Sequence, residues 1–580
     1  MNVEQLKTDI LILGSGGAGL FAALHALKAN PDLDVTIASK GLLGKCGCTR
    51  MVQGGYNVAI NPGDSIERHF MDTIEGGKWL PHQELAWTLV STAIERVREL
   101  ENEIGCFFDR NPDGTLHGKA FAGQSFDRTV HKGDLTGIEI INRLMEQVWA
   151  RPIRRLEEHR AVALTPAKDG ALAGVLLIDV RSGEFRFVSA QAVLLATGGG
   201  PTMYRYHTPS GDKSMDGLAM ALRLGLPLRD MEMVQFHPTG LLAGPDTRMT
   251  GTVLEEGLRG AGGHLLNAAM HRFMGEYDPK LERATRDVVS RAMYAEMKAG
   301  RTTPNGGLFI KMGHLGPAKV AKEFKGMVDR CRDCGFDLAG GLVEVVPTAH
   351  YFMGGLVCDV DTVTECFGLF VAGEDASGMH GANRLGGNGV ANSTVFGGIA
   401  GDVMARWIAK NPGYRPPDHE VLDFEVTRAE FPFSRQPGDV NALRENLLDI
   451  MWDYVGVVRD RAGIERGLAG IDAIEAILRT TGVANRDRRF NLTWHDWLNL
   501  QSLCEISRVI ALAALRRENS RGAHYRSDFP EPGDLATSTF TVARQKAGRK
   551  AGRIEMADEP VLFTHVKPGE TLLRDQIAAE

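Results

Sequence analysis

Cysteine is scarce in this chain: eight in 580 residues, at Cys46, Cys48, Cys106, Cys331, Cys334, Cys358, Cys366 and Cys504. That density excludes a disulfide-built scaffold and fits reduced thiols. No four-cysteine iron–sulfur spacing occurs. Cys331-Arg332-Asp333-Cys334 has metal-like spacing but no second pair beside it, so it reads as a loop with two thiols and no metal site is expected. Excess positive charge is also missing. The net charge of -7 gives no electrostatic basis for binding nucleic acid or an anionic membrane surface. The start lacks a basic region followed by an apolar one, so a cytoplasmic location is expected. No internal repeat or low-complexity tract appears.

Glycine, by contrast, is abundant. The 68 glycines exceed the usual share of about 7% and gather at a few places. Thr8 to Leu13 is a short apolar run suited to a buried parallel strand. Gly14-Ser15-Gly16-Gly17-Ala18-Gly19 follows, then Leu20 to Leu27 with helical composition. In that context the first glycine makes the tight turn, the second admits a pyrophosphate, and the third lets helix and strand pack closely. The helix N-terminus adds amides and partial positive charge. Ile10 to Leu27 is nearly uncharged and would tempt a membrane assignment, but its glycines favour the nucleotide reading, and no direct span is expected.

Asp34 to Ser39 supplies the second strand. It ends in Ser39-Lys40, not in the acidic residue of a simple NAD site. A hairpin from Val175 to Val188, turning at Ser182-Gly183, leads to Ala192 to Gly199. A further strand ends at Ala372-Gly373-Glu374. Three such pieces far apart in sequence point to one FAD domain interrupted by an insertion.

The expected architecture is an α/β, Rossmann-like FAD domain over 1–232 and 345–408. An α+β insertion fills 233–344. Asn411 to Asp418 reads as a linker by its prolines and glycine. A helical domain follows over 418–530, with apolar helical spacing in Val440–Val458, Ala462–Thr481 and Trp497–Arg517. A small C-terminal region covers 531–580.

His380 to Asn388 sets an arginine and a histidine among glycines. Arginine matches a carboxylate bidentately, and glycine lets backbone approach a ligand. With Gln53-Gly54-Gly55, Ala196-Thr197-Gly198-Gly199, Gln235-Phe236-His237-Pro238-Thr239-Gly240, Arg286 to Arg291, Pro347 to Tyr351 and Ser520 to His524, the chain resembles, over nearly its whole length, the flavoprotein subunits of succinate dehydrogenase and fumarate reductase. That wider group includes L-aspartate oxidase.

The resemblance implies an FAD domain, a mobile capping domain and a helical domain. It implies that His237, His350 and Arg384 clamp substrate carboxylates and that Arg286 carries the proton, with Glu256 and Arg259 as its relay. Gly14, Ser15, Gly16, Gly17, Ala18, Gly19, Ser39, Lys40, Gln53, Gly54, Gly55, Asp216, Glu374, Asn388, Gly389 and Val390 are the expected FAD contacts. The substrate would be a small carboxylate of the C4 class. The partner would be a separate iron–sulfur subunit, through which the chain could sit peripherally on the inner face of a membrane.

Taken singly, each residue has a duller reading. His237 precedes proline and could shape a turn. His350 could be a core histidine, and Arg286 could pair with Asp287 or Asp278 on a helix surface.

Two departures stand out. The position of the histidine that carries covalent FAD in membrane-bound members is Cys48, so non-covalent FAD is expected. The family's Thr-Glu pair is Glu255-Glu256, and a carboxylate at Glu255 would repel a substrate carboxylate unless protonated or turned away. Phe121 to Ser125 resembles the dehydrogenase and reductase branch rather than the oxidase. The competing functions are an amino-acid oxidase and a flavin-bearing docking subunit.

Overall fold

The computed structural model describes residues 3–211, 213–245, 247–546 and 553–573. Its first sheet grows from the N-terminus. Strand β1 (Glu4–Leu13) is longer than its apolar core, because its polar start pairs along the edge of a later strand. Helix α1 (Gly17–Ala29) returns to β2 (Val35–Ser39), which lies parallel to β1. Four more strands join the main layer: β3 (Arg154–Glu157), β4 (His159–Pro166), β5 (Leu172–Asp179) and β6 (Phe185–Leu195). Their order is β3-β2-β1-β6-β5-β4. The expected hairpin is β5–β6, antiparallel, with Val175 opposite Val188. The middle of the sheet is buried on both sides, which is why β5, most of β6 and the second half of β1 are near-continuous apolar runs, while the edge strand β3 is polar and largely exposed.

The chain then leaves this layer. Strands β7 (Val234–Leu241), β8 (His264–Leu266), β9 (Leu308–Lys311) and β10 (Leu342–Phe352) form an antiparallel sheet in the order β7-β10-β9-β8. Helices α2 (Arg286–Lys298) and α3 (Lys325–Asp333) belong to the same segment. Its apolar side chains make a separate core between Leu241 and Val345, including Phe273, Met293, Ile310 and Cys331. Phe236 and Phe352, at the other ends of β7 and β10, join the main core. Two strands thus carry side chains from one core into the other, and the functional side chains lie where they cross.

Strand β11 (Leu369–Val371) goes back to the first sheet, parallel to the end of β6. The three nucleotide-type pieces therefore meet in one sheet. Helix α4 (Asn388–Lys410) crosses α1 at very short range. A Cβ on Gly401 would stand 2.3 Å from the Ala22 carbonyl oxygen, and one on Gly397 2.6 Å from that of Ala18. These glycines set how deeply α1 sits.

The helical part holds α5 (Val440–Tyr454), α6 (Arg461–Leu478) and α7 (Leu492–Arg516). Asp439, Asp460 and Asn491 accept backbone amides at their N-termini, which fixes where each begins. The Asn491 cap starts α7 five residues before the run expected from periodicity. Helix α7 is long and apolar enough to cross a membrane, yet 67% of its apolar window is buried inside the protein. Finally β12 (Thr539–Gln545) and β13 (Ile554–Pro560) form a hairpin. Thr541 bonds both Asp230 and Glu232, and Arg517 pairs with both carboxylates at 3.0 and 2.5 Å. This buried knot ties the C-terminal region to the entrance of the inserted segment.

Candidate functional site

One cavity runs from the end of β1 to the junction of the two cores. At the first end Gly14 turns the chain with φ +113°, and a Cβ there would meet the Ala196 carbonyl oxygen at 2.1 Å. Gly19 lies directly over the Gly14 carbonyl, so α1 packs on β1 as the third glycine requires. Helix α1 has no side-chain cap and no acidic residue in its first turn. Its amides border the cavity, an arrangement complementary to phosphate.

Further along, Lys40 and Arg160 pair with Asp216 at 2.9 and 2.7 Å. Burial pushes the Asp216 carboxyl up, but Arg160 and Lys40 outweigh it and hold it far below the carboxylate range. The Ala196–Gly199 turn is pinned by Asp375, which accepts from the Thr197 hydroxyl and the Gly198 amide. Gln53 lines the same space, and its side-chain carbonyl has no partner. A helix start with no N-cap side chain or acidic first turn, and the orphan carbonyl of Gln53, fit a flavin dinucleotide.

At the other end Arg286, His237, His350, Arg384, Glu255 and Glu256 all line the cavity. Arg286 stands at the start of α2 and donates to Glu256 from Nε and Nη2, at 2.8 and 2.6 Å. It does not pair with Asp287 or Asp278; Asp287 pairs with Arg291 instead. Arg259 lies behind, 3.4 Å from the other Glu256 oxygen. Burial raises the Glu256 carboxyl, but Arg286, Arg259 and Arg384 together bring it below the usual range. Gln235 accepts from both Arg286 and Arg384, which holds the two guanidinium groups near each other.

Strands β7 and β10 supply the histidines. Their rings lie 5.4 Å apart, and Thr208 meets His350 Nδ1 at 2.9 Å. Burial and the surrounding arginines hold both imidazoles well below their ordinary pKa, so both are neutral. Arg384 stacks over Tyr351 at 4.3 Å, and its Nε is unpartnered. Burial and Arg286 lower it to about 10, so it stays charged at neutral pH. It is thus a buried cation with a donor to spare, set beside two neutral imidazoles.

Glu255 is buried and ion-pairs with Lys119 at 3.6 Å. Burial drives its carboxyl up against the pull of Lys119 and Arg330.

Most expected residues line this cavity; Asn388, Gly19 and Arg259, the last set behind Glu256, do not. The Asn388 side chain bonds His69, Asn57 and Thr73 and anchors the start of α4. Gly19 serves packing alone. Cys48 does border the cavity, whereas Cys331 is buried on α3, and no metal-binding group exists among the described residues.

Sequence reasoning overlooked Gln235, Thr208, Tyr351, Lys119 and Arg330 as site residues. Gln235 and Tyr351 lay within the motifs themselves. Lys119 and Arg330 carried no motif signal, since each reaches the site from a distant segment. The Ser520–His524 motif proves to be a brace. The Ala523 amide donates to the Ala382 carbonyl, while Arg291 on α2 donates to the Gly522 carbonyl. One loop therefore supports both Arg384 and Arg286.

A family model described as an FAD binding domain matches residues 9–390, and one described as the fumarate reductase flavoprotein C-terminus matches 444–572. The chain is 40% identical to an uncharacterized FAD-dependent oxidoreductase of Methanocaldococcus jannaschii, over 91% of this chain and 94% of that protein. It is 39% identical to one subunit of the fumarate reductase (CoM/CoB) of Methanothermobacter marburgensis, over 92% and 96%. A quinol fumarate reductase structure from Escherichia coli superimposes with a TM-score of 0.92 at 30% identity, covering 98% and 99%.

The fold and cavity thus define an FAD-dependent oxidoreductase. The chain belongs to the family of flavoprotein subunits of fumarate reductase and succinate dehydrogenase.

Proposed function

We propose that the protein interconverts a C4-dicarboxylate-like substrate and its enoate, as in the succinate and fumarate pair. The observation that carries this is the buried Arg286–Glu256 pair, set beside Arg384 and two neutral histidines at one end of a flavin cavity. Bound FAD supplies the hydride acceptor or donor. Arg384, with His237 and His350, holds a carboxylate and stabilises negative charge as it develops. Arg286 delivers or removes the proton at the neighbouring carbon. Free arginine is a poor acid, with a pKa above about 12. One Glu256 oxygen accepts both the Nε–H and the Nη2–H of Arg286 and the other faces Arg259; Glu256 is ionised at rest, so it takes a proton from the Arg259 side and passes it on to Arg286 once Arg286 has given its own away. Gln235 aligns both guanidinium groups and limits their wandering.

Gly14 to Ala18, Ser39, Lys40, Gln53 to Gly55, Asp216, Glu374, Gly389 and Val390 hold the cofactor in this reading. FAD is bound without a covalent link, because Cys48 stands where the attaching histidine would be. Relatives named as subunits support a partner protein for electron exchange, expected to be an iron–sulfur subunit. Such a partner would also set any membrane association of an otherwise cytoplasmic chain.

A screen of purified, FAD-loaded protein against carboxylates and enoates tests the reading. Flavin bleaching by a saturated acid, or reoxidation of reduced flavin by its enoate, is the expected result. Peroxide production with amino acids, or full function after loss of Arg286 and Arg384, would replace it with the oxidase or docking alternative.

A further inference from the structure

The Glu255 end of the cavity holds an unsatisfied acceptor. Glu255 is 2% exposed and lines the same cavity as His237, Glu256 and Arg286, with Lys119, Asp134 and Arg330 as its charged neighbours. Its Oε2 has no hydrogen-bond partner; the nearest cation, Lys119 Nζ, stands at 3.6 Å. Arg330, the other cation at this end, donates to the Val253 carbonyl rather than to Glu255. A carboxylate can accept but not donate, and the same holds for a second carboxylate on a substrate. A ligand with an O–H or N–H at this point would complete the pairing that the protein leaves open.

We propose that Glu255 is a specificity-determining residue that selects a substrate with one carboxylate, held by Arg384 and the two histidines, and a hydroxyl, amide or ammonium donor at the opposite end. This rests on the function proposed above and replaces one of the two carboxylates of its substrate class by a donor group. Lys119 is a positioning residue: it reaches Glu255 from a different segment and pulls it toward the ionised, accepting form against the burial that raises its pKa. Arg330 does the same at longer range, while Asp134 opposes both. The fork of Arg286 is already taken by Glu256, so it does not compensate Glu255.

The test is ligand binding to FAD-loaded protein, read as a shift in flavin absorbance. The probes are succinate, succinamate, γ-hydroxybutyrate, γ-aminobutyrate and butyrate. The donor-ended acids should bind at least about tenfold more tightly than succinate and butyrate, the scale of one hydrogen bond to a charged group. Glu255→Thr should reverse the order, favouring succinate. Lys119→Gln should shrink the discrimination without abolishing carboxylate binding. If succinate binds wild type as tightly as the donor-ended acids, Glu255 does not select as argued, while the general function stands. If no acid in the panel shifts the flavin spectrum, both the function and this inference fall. Should Glu255→Thr fail to fold, the wild-type ranking alone decides.

Discussion

Replacing Arg286 by alanine separates chemistry from cofactor binding. Arg286 is 7% exposed, and its side chain makes two hydrogen bonds to Glu256 at 2.8 and 2.6 Å and one to Gln235 at 3.0 Å. Its removal strands a buried carboxylate, which typically costs about 3–5 kcal/mol. Arg259 at 3.4 Å still offsets part of that charge, so the lower end of the range is expected.

The stability loss should depend on pH. Glu256 has a lowered folded pKa, so its pairing stabilises the fold above the ordinary value of 4.5 and is lost as pH falls through the folded value. The gap between wild type and variant should therefore be full at about pH 7 and close in acid.

Turnover should fall by about 10²- to 10⁴-fold, the contribution of a positioned acid. FAD content should not change, since Arg286 is far along the cavity from the α1 turn. Arg286→Lys keeps the charge but loses the fork, and should recover most of the stability and little of the rate. The assay pairs flavin absorbance with enoate reduction by a reduced dye. Turnover of Arg286→Ala within about tenfold of wild type would refute its role as proton carrier.

Acid precipitation of the holoprotein should release all flavin to the supernatant, and Cys48→Ser should leave that unchanged; colour retained on the denatured chain would show a thioether. Gly14→Ala should abolish FAD binding, because the added Cβ falls 2.1 Å from a backbone oxygen at φ +113°; stoichiometric flavin in that variant would contradict the packing argument. Arg517→Met should lower stability by about 3–5 kcal/mol in denaturant titration, since it leaves Asp230 and Glu232 buried without their cation. The isolated chain should not turn over with NADH or oxygen alone; full activity with either would make a partner unnecessary.

The sequence alone determined the dinucleotide unit, and its motifs put forward Arg286, Arg384, Glu255 and Glu256 but not Lys119 or Arg330. Strand, glycine turn and helix are local, so period and spacing report them without knowledge of distant contacts. The helices at Val440 and Arg461 were legible for the same reason, and only their ends moved. Motifs named His237, His350, Arg384 and Arg286, but not their states.

The tertiary structure decided the rest. Neutral histidines beside charged arginines follow from burial and from which cations crowd them, and neither is a property of a short segment. Asn388 looked like a cofactor contact by position, yet its side chain turned to His69, 319 residues away in sequence. The pairing of Glu255 with Lys119, and the bracing of Arg384 by Ala523, join segments that share no local pattern. Such contacts form only when two cores are packed against one another, because a buried charge takes its partner from whatever the fold brings near it.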